Sequence, residues 1–255
     1  MKPLPGRRIL HVNGQVVEYV MSGFGRPAIV LLNGAGGPLV SWARIYPEIE
    51  SLGTVFAYNR AGIGGSDRAA VPQTGEAIVS TLRCLLSEAK LQAPYILVGH
   101  SLGGLYANLF ARLYPREVAG VVMLDATHPD DDNLILKSEG LVRRSLRKML
   151  TALDARFGNN KFGEVAFIAE TVSQIGKAPS FPEIPLVVVT GGKRPPYWLM
   201  SEEAFKIRQA HQKALASLSP FGRQVIAEKS WHFPHISEPA VVISAIREVA
   251  GMHLP

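Results

Sequence analysis

The run Tyr95-Ile96-Leu97-Val98 is apolar without a break. It stops at Gly99-His100-Ser101-Leu102-Gly103 and gives way to apolar residues at helical spacing from Leu102 to Tyr114, just before Pro115. Such a run reads as a short buried strand followed by a helix. The helix must turn back close against its own strand, and small residues on both sides of the turn allow that approach. The G-x-S-x-G pattern sets a serine at the apex, in a strained turn that points its hydroxyl out of the end of the sheet. Strand before and helix after are the context that gives the five-residue pattern its meaning.

The remaining strands and helices can be read around this unit. Residues 9–20 alternate apolar and polar around Asn13-Gly14, the strongest short-range hairpin signal, so the chain opens with an antiparallel pair. Ala28 to Leu32, Thr54 to Tyr58, Val118 to Leu124, Pro185 to Thr190 and Arg223 to Glu228 read as further strands. Helical patterns around Ser41 to Ser51, Gly75 to Leu91, Leu199 to Ser217 and Pro239 to Ala250 separate them. Alternation of this kind predicts an α/β fold: a mostly parallel eight-stranded sheet with an antiparallel N-terminal hairpin and helices on both faces.

The alternation lapses after the sixth strand. Over 129–181 there is no strong strand, but Leu141, Val142, Leu146, Met149, Leu150 and Leu153 fall on one side of a helical pattern, with Arg143, Arg144, Arg147 and Lys148 largely on the other. The expected organisation is a core of residues 1–128 and 182–255 carrying a helical cap insertion of residues 129–181, the basic cluster being a solvated face.

Composition removes several function classes. A chain of 255 residues, 47% hydrophobic, can bury one large core. Its net charge of +6 comes with only 19% charged residues and no basic run interleaved with aromatics, so no nucleic-acid partner is expected. The basic opening, Met1 to Arg8, is followed by no apolar signal core, and nowhere do eighteen apolar residues run together. Cys84 has no second cysteine to pair with and lies in a helical pattern as a core thiol. A soluble, cytoplasmic protein without a membrane anchor is the expectation. Gly62-Ile63-Gly64-Gly65 matches neither the phosphate loop nor the full dinucleotide fingerprint, and His128 with Asp130 to Asp132 lacks paired-ligand spacing. Neither cofactor nor metal is expected.

A serine hydroxyl is a poor nucleophile at neutral pH and needs a base within hydrogen-bond reach, itself oriented by a third group. Ligands of such sheets bind beyond the carboxyl ends of the strands, which restricts the search to residues just after strands. Of seven histidines, His232 and His235 follow the last strand. His100 lies inside the turn and is expected to pack beside the serine. His11 in the hairpin and His253 in the tail read as surface residues, and His211 as part of a solvated helix face. Asp125, closing the strand that ends in Leu124, and Asp130 and Asp131 shortly after it are the carboxylates on that edge, and position alone leaves the choice among them open. A charge buried there requires a partner, which an imidazole N–H would supply. The backbone N–H of Leu102, just after the serine, is placed to hold a developing oxyanion.

Three stretches together, the Ser101 turn, the loop Asn59-Arg60-Ala61-Gly62-Ile63-Gly64-Gly65-Ser66, and Ser230-Trp231-His232 followed by Ser237-Glu238-Pro239, resemble the α/β-hydrolase superfamily from about Ile9 to the C-terminus. The resemblance implies the α/β-hydrolase fold with a serine nucleophile. It aligns His232 with the catalytic base and leaves His235 a bystander. Many members carry the acid after the strand that here ends in Thr190, yet Gly191-Gly192-Lys193-Arg194 holds no carboxylate. A minority move it one strand earlier, to the position of Asp125. The resemblance also implies Ala35 as the second oxyanion donor, after Asn33-Gly34 where relatives often have His-Gly, and makes Arg60 a structural loop residue. The activity expected on these grounds is a cofactor-independent serine hydrolase cleaving an ester, thioester or related acyl bond of a small molecule. C–C hydrolases and perhydrolases use the same triad, and a ligand-binding protein on this fold is the reading from another class.

Overall fold

The computed structural model describes residues 3–131, 163–197 and 200–252. Eight strands among them form one sheet: β1 (Arg8–Val12), β2 (Gln15–Ser22), β3 (Ala28–Leu32), β4 (Thr54–Tyr58), β5 (Tyr95–His100), β6 (Val118–Leu124), β7 (Leu186–Gly191) and β8 (Gly222–Ala227), in the spatial order β1-β2-β4-β3-β5-β6-β7-β8. β2 pairs antiparallel with β1 and with β4; every other pairing is parallel. Asn13 and Gly14 adopt φ of 51° and 76°, the left-handed pair that a two-residue hairpin turn requires.

The helices are α1 (Tyr46–Ile49), α2 (Gly75–Glu88), α3 (Leu102–Leu113), α4 (Ile168–Lys177), α5 (Glu202–Ala216), α6 (Pro234–Ser237) and α7 (Pro239–Gly251). The central strands are apolar on both sides because both sides are covered. On one face Val30, Leu97, Val121 and Val188 pack with Val79 and Leu82 of α2, Leu105 and Phe110 of α3, and Leu215 of α5. On the other, Ile29, Ile96, Val98 and Val122 meet Trp42, Tyr46 of α1, and Val242 and Ile246 of α7. The period-two alternation along β5 divides its side chains between these two cores.

The helix expected over Ser41 to Ser51 is broken into a 3₁₀ turn at Leu39–Trp42, the short α1, and a second turn at Glu50–Leu52. Pro47 is the cause: it sits at the start of α1, where its missing N–H costs nothing, but cannot continue a helix from upstream. α2 stops at Glu88, short of Leu91, because Lys90 turns to φ 58° and the Leu91 N–H closes back on the Leu86 carbonyl at 2.9 Å. Within the expected cap, residues 132–162, including the Arg143, Arg144, Arg147 and Lys148 cluster, lie outside the described residues. The part that follows, α4, buries Thr171 and Ile175 and packs against α2 and α3. No helix among the described residues is long and apolar enough to cross a membrane.

The strand order places the site. After β3 the chain moves outward to β4 and then returns past β3 to β5, so the loops leaving β3 and β5 diverge and open a crevice at the carboxyl end of the sheet. The turn after β5 needs its small residues. A Cβ on Gly103 would lie 2.2 Å from the Leu32 carbonyl oxygen, one on Gly104 2.3 Å from the Ala126 Cβ, and one on Gly99 2.6 Å from the Gly103 oxygen. Gly103→Ala therefore drives a methyl into β3 backbone, which has no side chain to move aside. The expected loss is about 1–3 kcal/mol of unfolding free energy, read as a lowered denaturant midpoint with unchanged slope.

Candidate active site

Ser101 sits between β5 and α3 with φ 51° and ψ −120°, a conformation rarely adopted by a residue with a side chain and costing about 1–3 kcal/mol. Its own backbone bonds enforce it: the Ser101 N–H donates to the Leu124 carbonyl at 3.1 Å, and its carbonyl accepts from Thr127 at 3.0 Å and Gly104 at 2.9 Å. Leu102 is the first residue of α3, so its N–H has no acceptor within the helix and belongs to the positive end of the helix dipole.

One strand away, Asp125 also has positive φ, 43°, and is only 1% exposed. Its Oδ2 lies 2.7 Å from His232 Nδ1 and accepts from Arg208 Nη2 at 2.6 Å, while Oδ1 accepts the Gly191 N–H at 3.2 Å. Burial raises the Asp125 pKa, but the His232 hydrogen bond and the Arg208 charge outweigh it, and the net shift is downward. The carboxylate is therefore ionised at neutral pH. Arg208 Nη2 also comes within 3.4 Å of His232 Nδ1. Both are donors when Nδ1 carries the proton that faces Asp125, so this contact is a charge beside the ring and not a hydrogen bond.

At Gly191, the last residue of β7, the structure excludes any side chain. A Cβ on Gly191 would lie 2.2 Å from the Trp231 carbonyl oxygen, so the His232 loop runs over this position and leaves room for a backbone N–H alone. That loop is pinned at both ends. The Lys229 N–H donates to Glu238 at 2.6 Å, the Ser230 and Ser237 hydroxyls bond one another, and His100 Nε2 reaches the His232 carbonyl at 2.8 Å. His232 Nε2 is the ring nitrogen left for a substrate-side proton. Ser101 Oγ makes no hydrogen bond to it among the described residues, and such contacts commonly tighten only when substrate arrives.

The other candidates have different surroundings. His235 is 1% exposed against Trp42, with ring centroids 4.8 Å apart, and neither of its nitrogens has a hydrogen-bond partner. Burial, with the His232 charge, depresses its pKa to about 3, and burial holds His100 well below the usual histidine range. Both rings are neutral at working pH. Asp131 accepts from the His128 N–H at 2.7 Å and contacts His211 Nδ1 at 2.7 Å, and Asp130 is largely exposed beside His128.

His211 departs from the expected solvated helix face: it is half-buried on Asp131, its ring stacked 4.4 Å from that of His128. His128, Asp130 and His211 do bring ligand-type atoms within 4.8 Å of one another, which sequence spacing concealed. The two imidazoles stack at 23°, however, so their in-plane lone pairs run side by side and do not converge on one point.

Two contacts around this site have no signal in the sequence. Arg208 is one. Glu164 is the other: buried at 5% exposure, it receives Arg60 Nε at 2.6 Å and Nη2 at 2.8 Å, the Gly36 N–H at 3.0 Å and the Tyr106 hydroxyl at 3.2 Å. Arg60 in turn donates to the carbonyls of Asn33 at 2.8 Å and Gly34 at 2.6 Å. Burial opposes the Arg60 charge and Glu164 more than restores it, so the guanidinium stays protonated. This buried ion pair grips the loop after β3 from both its carbonyl and its N–H side.

The Alpha/beta hydrolase family model matches residues 29–245. The chain belongs to this family. It is similar to the Uncharacterized protein YqjL of Bacillus subtilis, 27% identical over 225 residues that cover 87% of this chain and 82% of that one. Among solved structures it resembles the enol-lactonase from Burkholderia xenovorans LB400, with TM-score 0.71 and 17% identity, covering 96% of this chain and 100% of that one. It also resembles a thermophilic esterase from Thermogutta terrifontis, with TM-score 0.68 and 18% identity, covering 95% and 97%. At these identities the structural likeness speaks to the fold, and the residues of the site must argue for the chemistry.

Two consequences are measurable. His235 binds a proton far more readily unfolded than folded, so its contribution lowers stability as pH falls from about 6.5 toward 3. The melting temperature should fall over that window, and fall less steeply in His235→Leu. Glu164→Gln leaves Arg60 charged, buried and half-partnered; the expected cost is about 3–5 kcal/mol by denaturant unfolding.

Proposed function

We propose that this protein is a serine hydrolase that cleaves an ester, thioester or related acyl bond through Ser101, His232 and Asp125. The observation that carries the reading is the 2.7 Å contact between Asp125 Oδ2 and His232 Nδ1, built from strands that end beside the Ser101 turn. An ionised Asp125 fixes the His232 tautomer with its proton on Nδ1, which leaves Nε2 as the base. Nε2 takes the proton of Ser101 Oγ as the oxygen attacks the acyl carbonyl; the imidazolium so formed lies against the Asp125 carboxylate. The same ring returns the proton to the leaving group, and a water activated in the same way releases the acid from the acyl-enzyme.

Charge on the tetrahedral oxygen is met by the N–H groups of Leu102 and Ala35. Leu102 contributes the free end of α3. For Ala35 the support comes from peptide geometry: the Gly34 carbonyl points to Arg60, and in a trans peptide the following N–H points the opposite way, away from the ion pair. Gly34 itself lies against the turn, where a Cβ would be 3.1 Å from the Ser101 Cβ. The Arg60–Glu164 pair thereby holds the donor in place before the charge appears.

The test is turnover of p-nitrophenyl acyl esters of graded chain length alongside labelling by a fluorophosphonate. Wild-type protein should hydrolyse one or more esters and label covalently. Ser101→Ala should remove both, and Asp125→Asn should lower kcat by about 10³–10⁴-fold while leaving the fold intact. Turnover that survives Ser101→Ala overturns the assignment. Protein that neither labels nor turns over any ester would instead be the ligand-binding form of this fold.

A further inference from the structure

Asp125 does not serve His232 alone. Arg208, from the middle of α5, places Nη2 2.6 Å from the Asp125 Oδ2 that faces the imidazole, 3.1 Å from the Asp125 carbonyl and 3.4 Å from His232 Nδ1. Its Nη1 lies 3.7 Å from Asp131, which is itself held by His211 Nδ1 and the His128 N–H. The neighbours of Arg208 on α5 face the same way: Gln209 donates to the Gly191 carbonyl at 2.8 Å and Gln212 to the Ala126 carbonyl at 2.6 Å. A polar face of the helix is thus built onto the ends of β6 and β7. The resulting row, Asp131, Arg208, Asp125, alternates in charge and ends at the His232 ring.

We propose that Arg208 is a positioning residue of the triad, which shares the Asp125 carboxylate with His232 and sets the pH at which the ring becomes available as a base. This inference rests on the triad assigned above. The sign follows from charge. Asp125 alone favours imidazolium, which is useless as a base; a guanidinium on the same oxygen offsets that attraction and keeps the ring neutral to lower pH. Asp131 moderates Arg208 from behind.

The other histidines packed about the ring among the described residues carry no charge at neutral pH. His100 below it and His235 from α6 are both neutral there, for the burial reasons given. His211 and His128 touch Asp131 and each other, one residue removed from Arg208.

Arg208→Met should move the acid limb of the kcat/KM profile upward by about one pH unit, the size expected for removing one charge at this distance. Arg208→Lys, which keeps the charge, should leave the limb near its wild-type position even if the rate falls. Asp131→Asn removes the second carboxylate beside Arg208, leaves its charge facing Asp125 and the ring, and should move the limb downward. The opposed signs separate tuning from simple damage. A structural role predicts a rate loss of equal factor at every pH with the limb unmoved in all three variants, and that result overturns the proposal.

If Arg208→Met does not fold, Asp131→Asn with Arg208→Lys decides the matter: a limb shifted upward in Asp131→Asn, or unmoved, overturns it. A second readout needs no turnover. In the Ser101→Ala background, the NMR titration midpoint of the His232 ring should shift with the same signs. A wild-type protein that neither labels nor turns over ester sinks the hydrolase reading and this inference with it, even where the His232 midpoint responds to Arg208; an active enzyme with an indifferent midpoint keeps the hydrolase reading and overturns this one.

Discussion

The ionised, buried carboxylate of Asp125 is the interaction on which the carboxyl end of this sheet is organised. At 1% exposure it has no water to solvate it, and an isolated carboxylate would be driven to protonate. It stays charged because three segments far apart in the chain bring donors to it: the Gly191 N–H from the end of β7, Arg208 from α5, and His232 from the loop after β8. Satisfying one carboxylate therefore ties β6, β7, α5 and the His232 loop to a common point. The donors that stabilise the fold there also fix the orientation of the His232 ring.

A second buried charge organises the opposite side of the crevice. Arg60 and Glu164 neutralise each other, and the bonds left over on each are spent on the backbone of residues 33–36. A glycine-rich loop has many conformations of similar energy. Gripping it by two carbonyls and an N–H selects one of them, with the Ala35 amide turned away from the ion pair. The two charged centres thus flank Ser101, one holding His232 and the other the loop that carries Ala35, while the strained serine between them is held by backbone bonds to Leu124 and Thr127. Arrangement of polar groups ahead of the reaction is what a water-poor site uses to stabilise charge as it develops.

Much of the fold could be read from the chain because its signals are local. Apolar runs bounded by glycine mark β3, β4 and β5, Asn13-Gly14 marks the hairpin, and Gly99, Gly103 and Gly104 mark a turn whose tightness the structure accounts for. Between Ser41 and Ser51, by contrast, apolar spacing signals one helix while Pro47 splits it into short turns. Ser101, His232 and Asp125 were legible as candidates because each stands just after a strand. Arg208 and Glu164 were not. Arg208 lies on a helix whose polar side reads as solvated, and nothing local reveals that this side faces buried carbonyls and a carboxylate. Glu164 meets Arg60 across 104 positions in sequence, beside a stretch with no strong pattern.

By itself, then, the sequence determined the order of strands and helices, the serine at the turn, and a short set of histidines and carboxylates at the right edge of the sheet, because periodicity and turn chemistry act over a few residues. Only the tertiary structure decided among them. It set Asp125 against His232, turned Asp131 toward His211 and Arg208, and sealed His235 against Trp42 without a hydrogen bond. Those choices depend on the partners a buried charge finds across the sheet, and the chain specifies these only when it is folded.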